Sequence, residues 1–217
     1  MKWDCILFDL DGTLLDTSVG VLKAVKYTID KMGLPPVEDE IMKTFIGPPI
    51  YESFQSVYQL SQEQVDEATE TFRDAYKDRF LLEATPYEGI YELLDFLKEQ
   101  GCKLAVATNK RHDYTMKLLE HFDFPRRFDY ILGSDFANTM KKADIIKTCL
   151  KELQVTDSKN AIIVGDTIHD YNGAQIAGVR FVGIDYGFGF KAQEDYELVG
   201  EEPVLSNLDE LKEYLIR

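Results

Sequence analysis

Two carboxylates one residue apart, Asp9 and Asp11, end the apolar run Cys5-Ile6-Leu7-Phe8 and are followed by Gly12 and Thr13. A short run of this kind reads as a strand buried on both faces of a parallel sheet, and ligands of open α/β sheets bind beyond the carboxyl ends of such strands. Gly12 lets the chain turn and brings bare backbone near whatever the acids hold. Three readings compete for Asp9-Leu10-Asp11-Gly12. A solvated turn needs nothing more than the turn preferences of Asp and Gly. A calcium loop fails twice, because with Asp9 first the sixth position is Leu14 where Gly is needed and the twelfth is Gly20 where Glu is needed. Phosphoryl transfer, with one Asp attacking phosphorus and the other moving protons, requires a cation, a metal-binding acid and hydroxyl or amide donors elsewhere in the chain.

Those partners stand at the ends of other apolar runs. Lys103-Leu104-Ala105-Val106-Ala107 leads into Thr108-Asn109, a hydroxyl and an amide suited to phosphate oxygens. Ala161-Ile162-Ile163-Val164 leads into Gly165-Asp166-Thr167-Ile168-His169-Asp170, which supplies two further acids. Lys141-Lys142-Ala143-Asp144 puts cations at a helix start, where the helix dipole does not favour them. Each alone has an ordinary explanation as a turn, a cap or a solvated pair. Their fixed order along one sheet edge is what carries weight. Weaker candidates read more simply as structure: Gly47-Pro48-Pro49 as a helix break, Lys110-Arg111-His112 as a solvated helix start, His169 as a surface residue and Trp3 as core.

The elements that must position these groups alternate. Strands are expected at Cys5–Phe8, Lys103–Thr108, Tyr130–Gly133, Ala161–Gly165 and Arg180–Ile184, separated by helices with apolar stripes such as Ile90-Leu93-Leu94-Leu97 and Ile145-Ile146-Cys149-Leu150-Leu153. That alternation predicts right-handed βαβ units, hence an α/β fold with a Rossmann-like doubly wound parallel sheet in three α/β/α layers. From about residue 17 to 80 the texture is helical only, and the alternation begins at Tyr87. Leu22, Val25, Ile29 and Met32 share one face ahead of Gly33, and Ser61 with Gln64 forms a capping-box pattern. An all-α insertion is therefore expected over residues 17–80, inside a core of residues 1–16 and 81–217.

With 217 residues, 45% of them apolar, the chain can bury a sizeable core. A formal charge of −15 argues against nucleic acid or an anionic membrane as partner. It does not argue against a small phosphate ester, because a bound cation can reverse the sign inside a pocket. Cys5, Cys102 and Cys149 form no pairing pattern and read as buried thiols of a cytoplasmic protein, and the N-terminal run is too short for a signal peptide.

The whole pattern resembles the haloacid dehalogenase superfamily of aspartate-nucleophile hydrolases with an α-helical cap, and within it phosphoglycolate-phosphatase-like proteins. Asp9-Leu10-Asp11-Gly12-Thr13 is similar to the first motif, Thr108-Asn109 to the second, Lys142 to the third and Gly165-Asp166-Thr167 through Asp170 to the fourth. The resemblance favours Lys142 over Lys141, because the family's basic residue often stands two before an acid, as Lys142 stands before Asp144. The resemblance implies that Asp9 is the nucleophile, that Asp11 is the general acid and base, and that Lys142, Thr108 and Asn109 bind the substrate phosphate. It implies Mg²⁺ held by Asp9, the Asp11 backbone carbonyl and Asp166, with Asp170 just outside. An acid at position 11 implies phosphate chemistry rather than dehalogenation. The expected activity is hydrolysis of a small phosphomonoester through an aspartyl-phosphate. A nucleotidase, a pyrophosphatase or a β-phosphoglucomutase-like phosphomutase are alternatives, and a non-catalytic phospho-receiver or binding protein is a remote one.

Overall fold

A computed structural model of the chain describes residues 2–136 and 139–216. In chain order, strand β1 (Cys5–Phe8) and the two-residue β2 (Leu15–Asp16) precede helices α1 (Ser18–Met32), α2 (Asp39–Lys43), α3 (Ile50–Tyr58) and α4 (Gln62–Ala75). A π-helical turn, Tyr76–Phe80, continues α4 and leads to β3 (Thr85–Pro86). Then come α5 (Ile90–Glu99), β4 (Lys103–Arg111), α6 (His112–His121), β5 (Tyr130–Ser134), α7 (Lys142–Glu152), β6 (Ala161–Gly165), α8 (Ile168–Ala177), β7 (Arg180–Ile184), α9 (Gln193–Glu197), β8 (Val204–Leu205) and α10 (Leu208–Ile216). Packing divides the chain into two compact units, Met1–Asp16 with Pro86–Arg217, and Thr17–Thr85.

The larger unit is built on a parallel sheet of six strands among the described residues, ordered β5-β4-β1-β6-β7-β8. β1 lies at its centre, with Cys5 opposite both Lys103 and Ala161 and Phe8 opposite both Val106 and Val164. That register brings Asp9, Thr108 and Asp166 to one carboxyl edge. The alternation of side chains along the strands fills two cores. Cys5, Leu7, Ala105, Ala107, Ala161 and Ile163 face Ile145, Ile146, Cys149 and Leu150 of α7 and Ala174 of α8. Ile6, Phe8, Leu104, Val106, Ile162 and Val164 are equally buried, and the Phe8 ring meets Phe128 edge-on at 6.2 Å. The sheet is covered by helices on both sides, the α/β fold expected of the sequence.

Two differences from the expected elements have local causes. β4 runs past Thr108 to Arg111, with a break in register between those residues. β2, β3, β8 and α9 lack a sequence signal because two-residue strands and a five-residue helix are too short to show a period. No helix among the described residues is long and apolar enough to cross a membrane.

The smaller unit is helical from α1 to the π turn. Gly33 ends α1 in the left-handed conformation at φ 64°. The Ser61–Gln64 capping box forms at the start of α4, with Gln64 N–H to Ser61 Oγ at 3.4 Å and Ser61 N–H to Gln64 Oε1 at 3.1 Å. Phe45 and Phe54 pack edge-on at 5.1 Å as its aromatic centre. Gly47, at φ 103°, with the exposed Pro48 and Pro49 separates α2 from α3.

Candidate active site

The acidic loop is shaped by one carbonyl. Leu10 C=O accepts from the N–H groups of Thr13, Leu14 and Leu15 at 3.3, 2.9 and 3.1 Å, so the chain reverses just after Asp9. Gly12 sits in this reversal at φ 78°, and a Cβ there would collide with the Asp166 carboxylate. The sequence thus needs Gly at this place for conformation and for contact.

Asp9 follows β1, anchored by its N–H on Val164 C=O at 2.9 Å, and is buried. Lys142, the first residue of α7, is also buried; its Nζ lies 2.5 Å from Asp9 Oδ1 and 2.6 Å from Asp170 Oδ1. Lys141, its neighbour, is exposed. Asp170 uses its other oxygen to cap α8, Oδ2 accepting from Thr167 N–H at 3.1 Å and Thr167 Oγ1 at 2.7 Å. Asp166, wholly buried beyond β6, receives the Phe188 N–H on Oδ2 at 2.6 Å and the Gly189 N–H at 3.3 Å. Its Oδ1 is buried with no hydrogen-bond partner among the described residues.

Asp9, Asp166 and Asp170 can each present an oxygen within 4.8 Å of the others. This crowding governs their protonation. Burial, opposed by Lys142 and reinforced by Asp170, pushes the Asp9 carboxyl up to about 7. Burial and then the charges of Asp170 and Asp9 raise Asp166 well above the carboxylate range, against the pull of the Phe188 and Gly189 amides. Burial works against the Lys142 ammonium, yet Asp170 and Asp9 keep it protonated above the ordinary lysine range. Ionising all three buried carboxylates against one buried ammonium would leave negative charge to be neutralised, which is why protons are held there. An orphaned oxygen of Asp166 beside them suits a hard divalent cation, which takes carboxylate oxygens.

The remaining candidates are distributed unevenly. Thr108 is buried at the end of the straight part of β4 and its Oγ1 accepts the Lys110 N–H at 3.2 Å, whereas Asn109 is exposed. Asp11 is half-buried and pairs with Lys110, Nζ to Oδ1 2.8 Å. Lys110 is not the solvated helix start expected of it: it lies in β4, and its side chain is only 10% exposed. A cation directly after Thr-Asn was the available signal, and Lys110 lies in the stretch where β4 changes register, between Thr108 and Arg111. The amides of Phe188 and Gly189 carried no side-chain signal at all. His169 is exposed.

The sequence from residue 6 to 184 matches the model of the haloacid dehalogenase-like hydrolase family. The chain is 32% identical to a 5'-nucleotidase of Pseudomonas aeruginosa over 189 residues, covering 87% of this chain and 86% of the relative. It is 29% identical to a phosphoglycolate phosphatase of Caulobacter vibrioides over 205 residues, covering 92% and 85%. A solved hydrolase of the haloacid dehalogenase-like family from Streptococcus pneumoniae superposes with a TM-score of 0.89 at 32% identity, covering 99% of both chains. With its motif residues gathered at one sheet edge, a family model matching residues 6–184 and a 32% identical relative covering 87% of its length, the chain belongs to the haloacid dehalogenase-like hydrolase family.

Proposed function

We propose that this protein is a Mg²⁺-dependent phosphatase that hydrolyses a small phosphomonoester through an aspartyl-phosphate on Asp9. The observation that carries this reading is the buried contact of Asp9 with Lys142, made beside an Asp166 whose Oδ1 has no partner among the described residues. A nucleophilic carboxylate approaching a phosphate dianion is repelled, so the site must concentrate positive charge where the two meet. Asp9, Asp166 and the Asp11 backbone carbonyl would hold Mg²⁺, which supplies charge neutralisation at the phosphate oxygens. Asp170 serves the site from outside, holding Lys142.

In the first step an Asp9 carboxylate oxygen bonds to phosphorus, the bond from phosphorus to the ester oxygen breaks, and the departing alkoxide takes a proton from Asp11. In the second, water bonds to the same phosphorus while giving a proton to Asp11. The Asp9–phosphorus link breaks, releasing inorganic phosphate and restoring Asp9. Lys142 offsets the charge of Asp9 and of the incoming phosphate, Thr108 and Asn109 donate to phosphate oxygens, and Lys110 holds the Asp11 carboxyl in place. The helical unit is the cap domain in this reading.

The two relatives, a 5'-nucleotidase and a phosphoglycolate phosphatase, share phosphomonoester hydrolysis and differ in the leaving group. A small phosphorylated metabolite is the substrate class that both support. Buried free thiols at Cys5, Cys102 and Cys149 suit a cytoplasmic setting. The test is release of inorganic phosphate from phosphoglycolate, nucleoside monophosphates, pyrophosphate, sugar phosphates and an aryl phosphate, with Mg²⁺ or EDTA, for wild type and Asp9→Asn. Metal-dependent release that disappears in Asp9→Asn is the expected result. Release that survives the substitution overturns the reading.

A further inference from the structure

The segment after β7, Tyr186-Gly187-Phe188-Gly189-Phe190, has no part in the chemistry just described, yet it grips Asp166 with three consecutive backbone amides. The N–H groups of Phe188 and Gly189 both point to Oδ2, at 2.6 and 3.3 Å, and Phe190 N–H donates to the Asp166 backbone carbonyl at 3.0 Å. The side chain and main chain of one residue are therefore fixed by one loop. The loop is itself anchored: Phe190 is buried against Phe181, ring centroids 6.1 Å apart, and Tyr186 Oη donates to Thr13 C=O at 3.3 Å. Tyr186 also packs on Tyr87 at 4.7 Å.

Gly187 shows how closely the loop is seated. A Cβ there would lie 2.5 Å from Asp166 Oδ2 and would overlap both Asp166 Cβ and the Gly12 carbonyl oxygen. A Cβ on Gly189 would overlap the Asp166 carbonyl oxygen. Both positions thus require glycine for approach. Neither lies in the left-handed region.

The geometry points to a role that rests on the metal reading above. We infer that the Gly187–Phe190 loop positions the Mg²⁺ ligand: its amides occupy Oδ2 of Asp166, so that this carboxylate meets the cation through Oδ1 alone. Two donors on one oxygen fix the carboxylate plane and reserve the partnerless oxygen, favouring a one-oxygen contact over a chelating one. Gly187, Phe188 and Gly189 are positioning residues, acting through Asp166.

The experiment reads metal binding and backbone exchange rather than turnover. Mg²⁺ affinity is measured by titration calorimetry on wild type and Gly187→Ala, with a thermal melt to establish folding. Amide hydrogen exchange at Phe188 and Gly189 is followed by NMR on wild type, with and without saturating Mg²⁺. The inference expects slow exchange at both amides in both states, and an Mg²⁺ dissociation constant at least tenfold weaker in folded Gly187→Ala. Exchange that accelerates when Mg²⁺ is added would show that the ion has taken Oδ2, and overturns the inference. So does a folded Gly187→Ala variant with wild-type affinity. If Gly187→Ala does not fold, the wild-type exchange decides. Wild type that binds no Mg²⁺ overturns the metal reading itself, a result distinct from Mg²⁺ binding with the amides released.

Discussion

Lys142 and Asp9 are 133 residues apart in the chain and 2.5 Å apart in the structure, both buried. The contact depends on space as much as on charge. A Cβ on Gly173 of α8 would lie 2.6 Å from Lys142 Cγ and 2.8 Å from its Cβ, so the lysine stem runs in a groove that only glycine leaves open. Removing the ammonium by Lys142→Met leaves Asp9 and Asp170 buried without their cation. Breaking a buried pair in this way costs about 3–5 kcal/mol. Lys142→Met is therefore expected to lower the denaturation midpoint and to abolish phosphate release. Gly173→Ala, which leaves every charge present, is expected to reduce turnover by displacing the stem. Denaturant melts and phosphate-release assays on the two variants check both statements. A Lys142→Met protein of wild-type stability would contradict the first.

The raised carboxyl of Asp9 gives stability a definite pH dependence. Its folded value is about 7 against an ordinary 3.8, so between these limits the folded state holds a proton that the unfolded state has lost. Metal-free protein should accordingly lose stability as pH rises from about 4 to about 7 and change little from this group above that. A cation bound by the ionised cluster acts oppositely, since protons compete with it. The melting shift produced by Mg²⁺ is thus expected to grow from pH 5.5 to pH 8. At a concentration about a hundredfold above the dissociation constant it corresponds to about 2.7 kcal/mol. Differential scanning fluorimetry across that range, with EDTA or Mg²⁺, measures it. A shift that shrinks with rising pH would contradict the cluster as the binding site.

Asp11 and Lys110 invite a leaving-group test. A general acid matters most when the departing alkoxide is a strong base, and proton transfer of this kind contributes about 10²–10⁴-fold. Asp11→Asn is expected to lose activity in that range on an alkyl phosphate and much less on a nitrophenyl phosphate. Lys110→Met, which frees the Asp11 carboxyl from its 2.8 Å contact, is expected to show the same selectivity to a smaller degree. Steady-state kinetics on the two esters provide the comparison. Equal losses on both would remove Asp11 from proton transfer.

The legibility of this site in the sequence follows from what kind of group does each job. Asp9, Lys142 and Asp166 stand next to buried strands or at a helix start, and apolar runs betray such places, so the residues proposed for the site could be placed from the sequence. The five principal strands and the Ser61–Gln64 cap were legible for the same reason: periodicity and local hydrogen bonding are written in neighbouring residues. Lys110 was not: it lies where β4 changes register, and its partner Asp11 is 99 residues away in the chain. The Phe188 and Gly189 amides were beyond reach, since every residue but proline carries one and only the fold aims them. β8, a two-residue edge strand, takes its place from the sheet beside it.

Two glycines with nearly the same backbone separate conformation from contact. Gly12 has φ 78° and Gly101 φ 83°, so an alanine at either position meets left-handed strain of about 1–2 kcal/mol. Around Gly101 no atom of the described residues beyond its chain neighbours lies within 4 Å of an added Cβ, whereas at Gly12 the added atom enters the Asp166 carboxylate and comes within 2.9 Å of the Phe188 ring. Gly101→Ala is therefore expected to lower the melting temperature by a few degrees, about 2–4 °C per kcal/mol in a chain of this size, with turnover intact. Gly12→Ala is expected to match or exceed that loss and to weaken Mg²⁺ binding and phosphate release together, because the displaced group is the proposed metal ligand. Melting curves alongside Mg²⁺ titrations of both variants read the contrast. If the two glycines behaved alike in both measurements, backbone strain alone would account for Gly12, and its approach to Asp166 would have no bearing on the site.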